Sequence, residues 1–192
     1  MCKYIMPFDT NVKFIILMHP KEFKKTKNNT GRFTHLLLKN SKLFIGDDFT
    51  NHKAVNKIIR EYDSYLLYPS SDALNLSSTK PVLSKKMAIF IVDSTWSCSV
   101  SLLKKSKNLH QLKSISFNST KKSRYKIKQQ PEDNYLSTIE STYTLLEELN
   151  HHNIENIEKK YMDNFLEPFN KMVEYQVKCS KLQNSARFKS YI

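Results

Sequence analysis

The chain has 192 residues with 31 Lys and Arg against 18 Asp and Glu, a formal net charge of +13 and 40% hydrophobic residues. Such a length fills one good core with a helical appendage, and with no signal peptide and no apolar run near the roughly 20 residues that cross a bilayer, it reads as a cytoplasmic protein without a membrane partner. Three widely spaced cysteines (Cys2, Cys98, Cys179) make neither a disulfide framework nor a zinc site, and two glycines (Gly31, Gly46) cannot write a G-x-G-x-x-G turn or a P-loop.

Residues 12–18 (V-K-F-I-I-L-M) form a β-rich apolar run stopped by His19-Pro20 and predict the first core strand. A basic loop over residues 21–32 follows, with Lys21, Lys24, Lys25, Lys27 and Arg32 against the single acid Glu22. A short strand over residues 43–45 closes at Gly46, and Thr50 is the expected N-cap of a helix through Arg60 with Val55, Ile58 and Ile59 inward. Residues 65–68 are the next strand, residues 71–86 a long polar loop, and residues 87–92 the most hydrophobic strand. That strand ends abruptly in Asp93-Ser94-Thr95-Trp96, which holds the only tryptophan. Polar groups at the carboxyl end of a buried strand are how open α/β sheets build ligand sites. A helix N-cap at Ser94 with Trp96 in the core is the plainer alternative.

A helix over residues 94–107 places Trp96, Val100 and Leu103 on one face. Residues 113–117 alternate as a half-buried strand. Residues 97–131 hold no acid but nine lysines and arginines, a basic face suited to a polyanion, with nucleic acid the first partner to consider. Ser137-Thr138-Ile139-Glu140 is a capping box opening a helix through Leu149 with Ile139, Tyr143, Leu146 and Leu149 inward. His151 and His152 read as surface histidines at a hinge, and residues 154–182 as mostly helical, interrupted at Pro168, with Ile157, Tyr161, Phe165 and Leu166 packed back on the domain. Strands alternating with helices imply an α/β fold with a mainly parallel sheet and a C-terminal helical tail. The division is residues 1–150 as catalytic domain and 151–192 as an extension packed on it.

Six short stretches occur in order: His19-Pro20-Lys21-Glu22, Asn29-Thr30-Gly31-Arg32, Leu67-Tyr68-Pro69-Ser70, Asp93-Ser94-Thr95-Trp96, Arg124-Tyr125-Lys126-Ile127 and Leu136-Ser137-Thr138-Ile139-Glu140. By these the chain resembles the DTW-domain family, the tRNA-uridine aminocarboxypropyltransferases, over residues 12–149. The resemblance implies a SPOUT-like knotted α/β fold with S-adenosylmethionine (SAM) bound among loops at the carboxyl ends of strands. It implies transfer of the 3-amino-3-carboxypropyl group to N3 of a tRNA uridine with release of methylthioadenosine. Ser94 stands where the family signature usually has Thr, so a hydroxyl is kept. Family members commonly begin with a cysteine-rich segment where this chain has only Cys2, so no metal is expected.

On this reading Asp93 is the catalytic candidate, as general base for the uridine imide or as a ligand for hydroxyl groups. Tyr68, Pro69, Ser70, Asp93, Ser94, Thr95, Trp96, Leu136, Ser137 and Thr138 line the SAM site, with Trp96 open between adenine stacking and core. His19, Glu22, Thr30 and Arg32 shape the uridine side, and Arg32, Lys121, Lys122, Arg124, Lys126 and Lys128 are the tRNA phosphate candidates. No obligate protein partner is evident and a monomer is favoured. The competing readings are a SPOUT-type SAM-dependent RNA methyltransferase and a non-catalytic basic RNA-binding module.

Overall fold

A computed structural model describes residues 2–25, 29–119, 121, 123–125 and 136–183. Its frame is a six-stranded sheet in the order β2-β1-β5-β3-β6-β4, every described pairing parallel. The strands are β1 (Lys13–Met18), β2 (Ser41–Ile45), β3 (Asp63–Leu67), β4 (Leu74–Asn75), β5 (Met87–Asp93) and β6 (Lys113–Ser116). The helices are α1 (Pro20–Lys25), α2 (Thr30–Leu37), α3 (Lys53–Glu61), α4 (Trp96–Lys105), α5 (Thr138–His151), α6 (Lys159–Asn164) and α7 (Glu167–Gln183).

The central strands carry unbroken apolar runs because both faces of the sheet are covered by helices, as parallel sheets require. Side chains alternate strictly along them. Phe14 of β1 and Met87, Ile89 and Ile91 of β5 face α2, α5 and α7 through Phe33, Leu37, Ile139, Leu145, Leu149, Phe169 and Met172. Ile15, Leu17, Ala88 and Phe90 face the opposite layer, where Phe49, Val55 of α3 and Leu102 of α4 close the core. Met18 pairs with Asp93, so β1 and β5 end level and put their carboxyl-terminal loops side by side.

Several local expectations change. The basic stretch after His19 is not a loop: Pro20 begins α1, where its missing N–H and preset φ cost nothing. Buried Asn29 then caps α2 by accepting from the Arg32 N–H at 2.9 Å. His52, not Thr50, caps α3 through Nδ1, since the Thr50 hydroxyl is engaged by Asp48 and the Lys105 carbonyl. The polar stretch 71–86 contains β4, a short strand pairing with β6 at the sheet edge. Thr95, not Ser94, is the N-cap of α4.

The face of α4 bearing Trp96 and Val100 points outward, at 46% and 45% exposure, and buried Leu102 is the anchor. A stripe of apolar residues at helical spacing looks the same in sequence whichever way it is turned. Pro168 does not interrupt a helix but sits in the first turn of α7, after a break at residues 165–166. Phe165 and Phe169, fully buried, share the core of the sheet with Phe8, whose ring stacks on Tyr161 at 5.1 Å. The His152 Nε2–H donates to the Leu76 carbonyl, 2.6 Å away, and so ties the end of α5 to the β4 loop, while His151 is exposed.

Leu102 is the one fully buried side chain of α4. Leu102→Ala should destabilise the fold by about 2–5 kcal/mol, seen as a lower urea midpoint at unchanged slope.

Candidate active site

In a parallel sheet all strands end on the same edge, and here the ends of β1, β5 and β3 bring together His19, Asp93 and residues 68–70. The His19 N–H donates to the Asp93 carbonyl at 3.1 Å, which locks the two chain exits to each other. The Asp93 side chain, 6% exposed, turns toward the helical layer. Its Oδ1 accepts from the Thr138 hydroxyl at 2.6 Å, at the first turn of α5. On its other side lies Gly31 of α2, where a Cβ would stand 2.6 Å from Asp93 Cγ and 3.0 Å from its Cβ. That is closer than carbon atoms approach, so only glycine admits the carboxylate. The first turns of α2 and α5 are thus brought against the end of β5 by one side chain.

Glu140 organises the adjoining wall. It closes the expected capping box, accepting from the Ser137 N–H at 2.9 Å. The same carboxylate, 5% exposed, accepts from the Ser123 hydroxyl at 2.9 Å and the Arg124 N–H at 2.7 Å. A capping residue read only as local helix chemistry therefore also holds the segment 123–125 against the start of α5. Tyr125 follows directly, edge-on to Phe169 at 5.3 Å. Burial, then the negative field of Glu22, Asp93 and Glu140, keeps its phenol protonated above the ordinary tyrosine range.

The remaining candidates fall into distinct groups. The Ser70 hydroxyl is buried and has no hydrogen-bond partner among the described residues, whereas Pro69 is exposed and Tyr68 half-buried. Ser94 Oγ lies 2.6 Å from Ser99 Oγ, and Thr95 Oγ1 is 3.5 Å from Ser97 Oγ, so both hydroxyls are engaged at the start of α4. Trp96 is not core: its indole lies parallel to the Tyr68 ring, at 8° and 6.0 Å between centroids, on the open rim. Leu136 and Ser137 are half-buried beside Thr138.

His19 accepts the Lys21 N–H on Nδ1 at 3.2 Å, Glu22 is half-buried and Thr30 is buried within α2. The Arg32 guanidinium lies 4.3 Å over the Phe23 ring, and its Nε is buried without a partner among the described residues. Lys121 is ion-paired with Glu147 and sits over Tyr143, while Arg124 is exposed. Lys122, Lys126 and Lys128 lie outside the described residues. Among the described residues no group of three or more His, Cys, Asp and Glu side chains is placed to hold a metal ion. No described helix is long and apolar enough to cross a membrane.

Gly31 and Tyr125 are contributors that sequence reasoning left without a role, and Glu140 is one that it read only as a helix cap. The scarcity of glycine was a signal for Gly31, since one of only two in the chain falls inside a helix, where glycine is otherwise costly. Nothing local marks Glu140 or Tyr125 beyond their places in the capping box and the 124–127 stretch.

A buried carboxylate and convergent hydroxyls at the carboxyl ends of the central strands of a parallel α/β domain are the arrangement from which open α/β sheets build ligand sites. The chain is a member of the DTW-domain family: the DTW domain matches residues 1–177. It is similar to the tRNA-uridine aminocarboxypropyltransferase 2 of Drosophila melanogaster, 28% identical over 140 residues that cover 70% of this chain and 55% of that protein. It is similar also to the tRNA-uridine aminocarboxypropyltransferase 2 of Macaca fascicularis, 26% identical over 153 residues that cover 77% and 51%. The chain spans about half the length of these curated relatives. No solved structure gives a significant match.

Gly31→Ala should destabilise the protein by about 1–3 kcal/mol through the forced overlap with Asp93. In an Asp93→Ala background the same substitution should cost clearly less, since the carboxylate it meets is gone. Denaturation of the four proteins of this cycle measures the difference.

Proposed function

We propose that the chain transfers the 3-amino-3-carboxypropyl group of SAM to N3 of a uridine in tRNA, releasing methylthioadenosine. Family membership and the names of both relatives support the reading. The observation that carries it is the Asp93 carboxylate, buried at the end of the central strand and oriented by Thr138 and Gly31. Uridine N3 is a weakly acidic imide, so it attacks well only once its proton is removed. Asp93 takes that proton; the N3 electron pair forms the bond to the substituent carbon next to sulfur. The C–S bond breaks with its electrons returning to sulfur, which becomes a neutral thioether.

Three carbons flank a sulfonium, so product identity depends on which one the nucleophile is aimed at. Rigid placement of Asp93 by helices from both sides suits that demand. The buried Ser70 hydroxyl, without a hydrogen-bond partner among the described residues, fits a donor with polar ends, because such a group is expected to find one. Leu136, Ser137 and Thr138 at the start of α5, with Tyr68, Pro69, Ser94 and Thr95, form the remaining wall, and a helix start is suited to the donor's carboxylate.

His19, Glu22, Thr30 and Arg32 lie to the side where uridine enters, and Arg32 and Arg124 meet tRNA phosphates together with Lys121, Lys122, Lys126 and Lys128. The catalytic unit is residues 1–150, with 151–192 as its extension. A SPOUT-like knotted path belongs to the same family reading.

Asp93→Asn should lower transfer by about 10²–10⁴-fold at unchanged fold, measured by mass spectrometry of nucleosides from tRNA incubated with protein and SAM. Near wild-type transfer would remove Asp93 from catalysis. Methylthioadenosine as by-product supports this reaction; S-adenosylhomocysteine would make the protein a methyltransferase, and tRNA binding without SAM binding in calorimetry would make it a non-catalytic module. Arg124→Gln should weaken tRNA binding uniformly and flatten the salt slope by about 1.

A further inference from the structure

Glu140 holds more than a helix cap needs. In a capping box the carboxylate reaches back to one backbone N–H, and here Oε2 accepts from the Ser137 N–H at 2.9 Å. The same oxygen accepts from the Ser123 hydroxyl at 2.9 Å, and Oε1 accepts from the Arg124 N–H at 2.7 Å. The Ser123 hydroxyl oxygen in turn accepts from the Tyr125 N–H at 3.1 Å. One buried carboxylate therefore fixes three consecutive residues that belong to no helix or strand.

The direction of Arg124 follows from these anchors. Ser123 and Tyr125 are half-buried, and the Tyr125 ring is seated edge-on against Phe169, so Arg124 between them is turned outward and is exposed. Arg124 forms no ion pair among the described residues, whereas nearby Lys121 is held by Glu147. A guanidinium is suited to phosphate, and a backbone fixed beforehand lowers the ordering cost of that contact. The other partner of the carboxylate, Ser137, opens α5 beside Thr138, whose hydroxyl holds Asp93. A single side chain thus sets the spacing between the backbone that carries Arg124 and the helix start that orients Asp93.

We propose that Glu140 is a positioning residue for the RNA substrate: it fixes the backbone of residues 123–125 so that the Arg124 guanidinium meets a tRNA phosphate at a set distance from Asp93. The inference rests on the tRNA reading above and adds to it the residue that aims the arginine. Glu140 touches neither substrate and acts through Arg124. A negative charge close to the path of a polyanion opposes binding by its charge, so a carboxylate kept there serves another purpose.

Binding of an unmodified tRNA transcript to the full chain, followed by fluorescence anisotropy over a range of salt, tests this. By charge alone Glu140→Ala should tighten binding, because an anion is removed. The positioning role gives the opposite sign: Glu140→Ala should weaken binding by about three- to thirtyfold and lower the salt slope by about 1, as a lost phosphate contact does. Ser123→Ala, which keeps the carboxylate and the helix cap, should weaken binding by a smaller factor. In an Arg124→Gln background Glu140→Ala should have little further effect, since the guanidinium it aims is gone. Leu149→Ala, a core change at the far end of α5, gauges what loss of stability alone does to binding.

Unchanged or tighter binding by both Glu140→Ala and Ser123→Ala overturns the proposal, leaves Glu140 a helix cap and spares the tRNA reading. A loss that Leu149→Ala reproduces overturns it as well, and so does a loss in the Glu140→Ala, Arg124→Gln double variant equal to the product of the single losses. Should Glu140→Ala fail to fold, Ser123→Ala and its cycle with Arg124→Gln support or overturn the proposal by the same criteria. Absence of tRNA binding by the unaltered protein overturns both readings together.

Discussion

At the end of β5 a single carboxylate meets the hydroxyl of Thr138 on one side and the bare Cα of Gly31 on the other. Burying an ionisable group is costly unless it is hydrogen-bonded, and any Cβ at residue 31 would push it away. Both conditions are satisfied by residues far from Asp93 in sequence, one on α2 and one on α5. The contact therefore does structural and chemical service together: it registers the helical layer on the sheet and fixes the direction of the group on which the proposed chemistry depends.

Glu140 extends this arrangement outward. A capping glutamate satisfies one backbone donor; here it gathers Ser137, Ser123 and Arg124 as well, in a nearly solvent-free position. The start of α5 and the segment 123–125 are thereby one unit, and Tyr125 is set where three carboxylates act on its phenol. The proposed donor site and the proposed RNA-facing arginine are joined through that carboxylate. On the opposite rim, Tyr68 and Trp96 come from different strand ends and meet as a parallel pair, and the exposed stripe of α4 continues from them. Buried polar contacts hold the inner wall, whereas aromatic and basic groups are left on the outer one.

Much of this was legible in the chain. The apolar runs that became β1 and β5, the Ser137–Glu140 capping box and the polar stop after Val92 are local patterns whose physics is local. Errors arose where a local signal had two outcomes. Pro20 ends a strand but also begins a helix, and Thr50 and His52 compete for one cap; the face shared by Trp96, Val100 and Leu103 carries no mark that the first two are exposed while Leu103 packs on the core. Nor does the basic run show in sequence that Lys105 and Lys121 form ion pairs with Asp47 and Glu147 from other segments.

By itself the sequence determined the alternation of strand and helix, the parallel sheet that alternation demands, and the set of short motifs that mark the family. These depend on period, capping and residue order, which a one-dimensional pattern carries in full. Only the tertiary structure decided that Gly31 exists to admit Asp93, that Thr138 orients that carboxylate, that Glu140 clamps segment 123–125, and that Trp96 faces solvent. Each is a contact between residues tens of positions apart, and such contacts exist only once the sheet has brought its strand ends to one edge.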